Sequence, residues 1–230
     1  TTEVPFEGDP AAAEIGPDET LYLCDAVSRY FRKPLDPNDV VKSFAGVRPL
    51  VEDATHSASA TTRDYRLVLD APEGQAPLLS VMGGKVTTYR RLAEDALARL
   101  APHLKSSGKP WTATAPLPGG DLGTGDFETF LTTFESTYPW LSSTLAARLA
   151  GAYGTRAALI LNGAKSEKDL GRDFGAGLYQ AEVDYLIGQE FALSAEDILW
   201  RRTKCGLRSW GQEAETLSAY VETRTRSRAG

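Results

Sequence analysis

Histidine and cysteine are scarce, basic residues are outnumbered, and long apolar runs are missing; each shortage removes a class of function. The two cysteines, Cys24 and Cys205, lie far apart and form neither a CxxC pair nor a ligand cluster. They read as free thiols of a reducing cytoplasm. Only two histidines occur: His56 in a Ser/Thr/Ala-rich loop and His103 after a helix end beside Pro102. Neither has a clustered partner, so both read as surface residues, and no Ser-His-Asp spacing or metal-ligand motif is present. Lys and Arg total 25 against 31 Asp and Glu, a net charge of −6. An average surface of that sign does not attract nucleic acid. The basic, aromatic run Trp200-Arg201-Arg202-Thr203-Lys204 therefore reads as a solvated or packed helical face. No stretch approaches the ~20 apolar residues of a membrane span. Thr1-Thr2-Glu3-Val4-Pro5 lacks the charged start and apolar run of a signal peptide. A dinucleotide-binding GxGxxG is also missing.

What is present belongs to a globular protein able to build a core, with 42% hydrophobic and 24% charged residues. The start has no initiator Met and reads like the middle of a strand, so the expectation is a fragment whose upstream part is absent. Two textures follow one another, and together they predict an α+β fold class. Residues 1–115 mix strand and helix signals, 116–125 form a Pro/Gly-rich linker, and 126–230 read as all-helical. In the first part, Leu21, Cys24, Val27, Tyr30 and Phe31 recur at helical spacing over Asp18–Phe31. Val40 to Leu50 reads as a strand with a glycine bend. Arg63–Leu69 and Leu78–Met82 read as a hairpin across a turn-rich loop, and Thr87–Leu100 as a helix. In the second part, helices are expected over Asp126–Tyr138, Ser142–Tyr153, Gly177–Phe191, Ala195–Lys204 and Gln212–Thr225, packed as a bundle-like unit.

The most informative segment runs from Val81 through Gly83-Gly84-Lys85-Val86-Thr87 to Arg90. An apolar strand, expected to be buried, ends in two glycines and a helix starts at once. Glycines let a ligand approach the backbone, and a helix head favours negative charge. Lys85 adds a full charge there. The competing reading is a glycine-eased turn with an exposed lysine. Arg48, between Val47 and Pro49 on an expected strand, suits a bidentate grip on a phosphate or carboxylate. The alternative pairs it with Glu52 or Asp53 on an edge. Arg63 offers a second cation with the same two readings.

Taken together the segments resemble the aerobic, FAD-dependent glycerol-3-phosphate dehydrogenases. The likeness lies in Gly46-Val47-Arg48-Pro49-Leu50, Thr62-Arg63-Asp64-Tyr65 and Leu78 to Arg90, in that order. It extends through Leu117-Pro118-Gly119-Gly120, Asp173-Phe174-Gly175, Ala181 to Leu186 and Leu199 to Lys204, and Thr1-Thr2 resembles the end of the family's Gly-Thr-Thr strand. The resemblance implies part of a substrate- and flavin-facing sheet domain followed by an all-helical C-terminal domain. It implies oxidation of sn-glycerol 3-phosphate to dihydroxyacetone phosphate, hydride transfer to FAD and electron delivery to a quinone. It places Arg48 and Arg63 at the substrate, and Gly83, Gly84, Lys85, Val86 and Thr87 against the flavin, with Arg48 and Lys85 as the residues that act in catalysis. The general base is expected upstream, with Arg48 or Lys85 as alternatives. The missing N-terminal FAD-binding half is the first partner implied, so the fragment alone is expected to retain no FAD and to be inactive. A homodimer and peripheral attachment at the inner face of the cytoplasmic membrane are further expectations. A dioxygen-using glycerol-3-phosphate oxidase shares these motifs, and a purely helical packing or interaction module is the reading from another class.

Overall fold

The computed structural model describes residues 2, 4–48, 64–104, 108–123, 125–208 and 211–226. The chain divides into two compact units, Thr1–Ala115 and Pro116–Gly230.

Among its described residues the first unit has two α-helices, a hairpin and short 3-10 turns. Helix α1 spans Pro17–Ser28. Proline sits in its first turn, where its missing N–H costs nothing. Glu19 Oε2 accepts the Gly16 amide at 3.0 Å, which closes the helix head. The helix stops three residues short of the expected Phe31. Ser28 Oγ donates back to the Cys24 carbonyl at 2.7 Å and receives the Leu35 amide at 2.8 Å, so the chain turns there. Strands β1 (Arg66–Asp70) and β2 (Leu78–Met82) pair antiparallel, with Arg66 opposite Met82 and Asp70 opposite Leu78. Helix α2 (Tyr89–Leu100) follows a single 3-10 turn, Val86–Thr88. Arg99 Nη1, on α2, donates to the Leu67 carbonyl at 3.1 Å and ties the helix to β1.

Two expectations need correction here. Residues 40–48 of the expected strand form no strand among the described residues, and Phe44 is 89% exposed. A strand is completed by its ladder partner, which local sequence does not supply. The strand ahead of Gly83 is not buried either: Leu78, Val81 and Met82 are all exposed on β2.

The second unit carries helices α3 (Phe127–Thr137), α4 (Ser143–Tyr153), α5 (Ala157–Ile160), α6 (Gln180–Gln189) and α7 (Gln212–Arg226). Asp126 caps α3 by accepting the Thr129 amide at 2.9 Å. Phe127, Phe130, Phe134 and Tyr138, at helical spacing, stack successively with ring centroids 6.4, 5.9 and 4.9 Å apart. The core lies between α4, α6 and α7, where Leu149, Val183, Leu186, Leu217 and Val221 are buried. Leu117–Gly120 forms a tight turn, and the Gly119 carbonyl accepts the Thr155 amide at 3.1 Å. A Cβ at Gly154 would lie 1.9 Å from that carbonyl oxygen, so glycine is required at this backbone crossing.

Two of the expected helices here also differ. Helix α6 begins at Gln180 rather than Gly177, because Gly175, Ala176 and Gly177 all have positive φ, which a right-handed helix does not admit. The segment Asp197–Arg202 is a π-helical turn: the Thr203 amide donates to the Ile198 carbonyl at 3.0 Å, five residues back. The wider turn carries Ile198 and Leu199, adjacent in sequence, into the core together.

Candidate functional site

Gly83 and Gly84 sit at φ 70° and 97°, conformations that residues with a Cβ rarely adopt. They reverse the chain between β2 and α2, and Lys85 follows in an extended conformation at the head of the 3-10 turn. The Lys85 amide donates to Thr88 Oγ1 at 3.3 Å, while the same hydroxyl donates to the Lys85 carbonyl at 2.9 Å. Lys85, Val86 and Thr87 are exposed. The arrangement is a cationic, solvent-facing corner whose backbone is open to approach. Gly84 has an internal reason as well, since a Cβ there would lie 3.3 Å from Tyr65 Cβ and 3.5 Å from Leu92 Cδ1.

Arg48 is exposed, in a segment without regular structure. Arg63 lies outside the described residues, as do Glu52, Asp53 and His56. Beside this corner the structure brings together Tyr65, just ahead of β1, and residues of α2. Tyr65 Oη donates to Asp95 Oδ2, and Asp95 pairs with Arg91 at 3.6 Å. The Asp95 hydrogen bond, with lesser help from desolvation, raises the Tyr65 phenol above its ordinary pKa. Arg90 reaches Glu94 at 3.2 Å, and Glu94 accepts the Thr112 hydroxyl.

The most deeply buried charge lies elsewhere, in the second unit. Glu182 on α6 is 1% exposed. Arg148 of α4 grips both of its carboxylate oxygens, at 2.7 and 2.6 Å, and Tyr153 Oη donates to Oε1 at 2.6 Å. Arg148 also donates to the Gly177 carbonyl at 2.6 Å. Burial opposes the guanidinium's charge, but Glu182 outweighs it and Arg148 ends above its usual value. Burial, then the Glu182 charge, pushes the Tyr153 phenol up. Both carboxylate oxygens of Glu182 thus have partners, as a buried charge requires. Sequence reasoning missed it, because Arg148 and Glu182 are far apart in the chain and each resembles an ordinary surface charge on its helix. Among the described residues no group of His, Cys, Asp and Glu could hold a metal ion.

Comparison with known proteins gives these elements a family. Residues 110–226 match the model of the C-terminal domain of alpha-glycerophosphate oxidase. The chain is 47% identical over 223 residues to a glycerol-3-phosphate dehydrogenase of Pseudomonas aeruginosa, covering 97% of this chain and 43% of that protein. It is 41% identical to the aerobic glycerol-3-phosphate dehydrogenase of Escherichia coli, covering 99% of this chain and 45% of that protein. It is 46% identical to a D-erythritol 1-phosphate dehydrogenase of Brucella abortus, covering 96% and 43% respectively. The chain thus spans somewhat less than half the length of these relatives. With half of its length inside the matched model, the chain belongs to the family of the C-terminal domain of alpha-glycerophosphate oxidase.

Proposed function

We propose that this chain is the C-terminal part of an FAD-dependent glycerol-3-phosphate dehydrogenase, which oxidises the C2 hydroxyl of sn-glycerol 3-phosphate to dihydroxyacetone phosphate and passes the electrons to a quinone. The observation that carries the reading is identity of 41% to 47% to two proteins of that name over nearly the whole chain, including the first unit that lies upstream of the matched domain. In this reading the upstream half needed to bind FAD is supplied by the longer protein.

The first unit supplies the site, and its own residues have definite tasks. Arg48 and Arg63 hold the substrate phosphate, Arg48 by the forked geometry that matches two oxygens at once. The residues present fit a flavin by the chemistry of the corner: a lysine, two glycines with positive φ and a helix head, all exposed and without a competing carboxylate bond to Lys85 among the salt bridges of the described residues. Bound FAD supplies the hydride acceptor. Lys85 and the first amides of the turn place positive charge where negative charge develops, which is worth more when it is fixed beforehand than when solvent must reorganise. The second unit, with its closed core and buried Arg148–Glu182 pair, has the character of a scaffold. No helix among the described residues is long and apolar enough to cross a membrane. The reading further includes delivery to a quinone by peripheral attachment at the cytoplasmic face, and a homodimer.

A second reading is favoured by the 46% identity to the D-erythritol 1-phosphate dehydrogenase. It keeps the phosphate grip and the redox chemistry and lengthens the polyol by one carbon. One assay separates the readings. The intact protein is purified, its flavin content read from its absorbance, and its turnover measured with glycerol 3-phosphate and with erythritol phosphate, using a quinone analogue or dioxygen as acceptor. The expected outcome is a yellow protein active with glycerol 3-phosphate and quinone. A colourless protein refutes the reading, preference for the four-carbon substrate selects the second, and equal or faster turnover with dioxygen makes the protein an oxidase.

A further inference from the structure

Tyr65, Gly84 and Leu92 meet at one point of the first unit. The Tyr65 Cβ fills the space that a Gly84 Cβ would need, and Leu92 closes it from the α2 side. The same tyrosine is fastened at its far end, where Oη donates to Asp95 Oδ2 at 2.5 Å. Its backbone runs directly into β1, which starts at Arg66. One side chain thus spans from the start of the hairpin to the second turn of α2, passing beside the glycine that leads to Lys85. Arg99, through the Leu67 carbonyl, makes the second tie between the same two elements.

Gly83 and Gly84 form the softest joint of this corner, because glycine resists backbone rotation least. A lysine and a helix head following such a joint hold their charge at a fixed place only if something else sets the angle between hairpin and helix. Charge stabilisation weakens with distance and with every degree of freedom left to be frozen during reaction.

We propose that Tyr65 and Asp95 are positioning residues: their hydrogen bond clamps the β1–β2 hairpin to α2, and so fixes Gly83-Gly84-Lys85 against the flavin edge. The inference rests on the flavoenzyme reading above and adds to it two residues that touch neither flavin nor substrate. It also assigns Gly84 to clearance for Tyr65 as well as to approach by a ligand.

The test uses the intact, flavin-loaded enzyme and four variants: Tyr65→Phe, Asp95→Ala, Asp95→Asn and the double Tyr65→Phe/Asp95→Ala. Three quantities are read: amide hydrogen exchange of residues 84–88, the flavin midpoint potential and the rate of flavin reduction by substrate. Losing a hydrogen bond of ordinary strength is expected to slow reduction roughly fivefold in Tyr65→Phe and Asp95→Ala. Exchange at 84–88 is expected to quicken and the potential to become more negative, because reduced flavin loses fixed positive charge nearby. Asp95→Asn keeps an oxygen that accepts the tyrosine hydroxyl, and is expected to recover most of the rate; the double variant is expected to match either single one. Wild-type exchange, potential and rate in loaded Tyr65→Phe overturn the clamp. If that variant does not load, equal behaviour of Asp95→Asn and Asp95→Ala overturns it instead, and rescue by Asn supports it. A wild-type protein without flavin overturns the functional reading together with this one, which distinguishes the two failures.

Discussion

The two units put their apolar residues to opposite uses. In the second, a continuous core runs from Phe134 to Val221, and even its one buried carboxylate is fully paired. In the first, Cys24 and Leu67 are the buried apolar residues among those described, while Tyr30, Phe44 and Val86 stand more than four-fifths exposed. A two-stranded hairpin is marginal alone and relies here on the helix packed against it. The difference teaches a division of labour. The helical unit is stable through its own packing, whereas the first unit displays the cationic corner that the proposed chemistry uses. Substitutions should therefore separate cleanly: those in the second unit change stability, those in the first change activity.

The largest effect is expected from Glu182→Ala, which leaves Arg148 buried without its partner. Breaking one side of such a pair costs about 3–5 kcal/mol. Denaturant titration should show it, with wild-type KM in whatever enzyme still folds; a changed KM would break the division between the units. Next comes Arg48→Ala in the intact enzyme. Removing a charge-assisted grip costs about 2–4 kcal/mol of substrate binding, roughly 30- to 800-fold in KM for glycerol 3-phosphate. Flavin content and the unfolding midpoint should not move, and an unchanged KM would remove Arg48 from the site. The smallest concerns Asp197, whose Oδ2 accepts the Leu193 and Ser194 amides, each at 3.0 Å. Ser194 Oγ accepts the Asp197 amide in return at 3.1 Å, a reciprocal cap at the head of the π-helical turn. Asp197→Ala is expected to cost about 1 kcal/mol.

That cap also carries a pH signature. Burial works against ionisation of Asp197, but hydrogen bonds from the Leu193 backbone and from Ser194 outweigh it and set the pKa below the ordinary 3.8. A carboxylate held lower in the folded state stabilises it above the unfolded pKa and loses that contribution as pH falls through the folded one. Wild type should therefore lose the cap's contribution below about pH 4. The gap in unfolding free energy between wild type and Asp197→Ala should close over the same range, and a gap unchanged at pH 3 would assign the cap to the Ser194 side alone.

Much of this organisation was legible beforehand. Helices α3, α4 and α7 lie where apolar periodicity put them, because a stripe every three or four residues is a local signal and Asp126 marks a start. The hairpin was legible from two apolar runs around Pro72 and Gly74. The expected strand through Arg48 was not found over residues 40–48, since its pattern is satisfied only by a partner strand. The π-helical turn at Asp197–Arg202 was invisible too, because six residues are too few for the apolar pattern to tell it from an α-helix.

By itself the sequence determined the family and the order of the helices α3, α4 and α7, and it nominated Arg48 and Arg63 for the proposed phosphate grip. Motif order and helical spacing are properties of residues near one another in the chain. Tertiary structure alone decided which charges are scaffold and which face solvent. Arg148 and Glu182 look like surface residues until α4 and α6 close around them, and Tyr65 and Asp95 look unrelated until the hairpin lies against α2. A charge is made expensive or harmless by what surrounds it, and those surroundings come from distant parts of the chain.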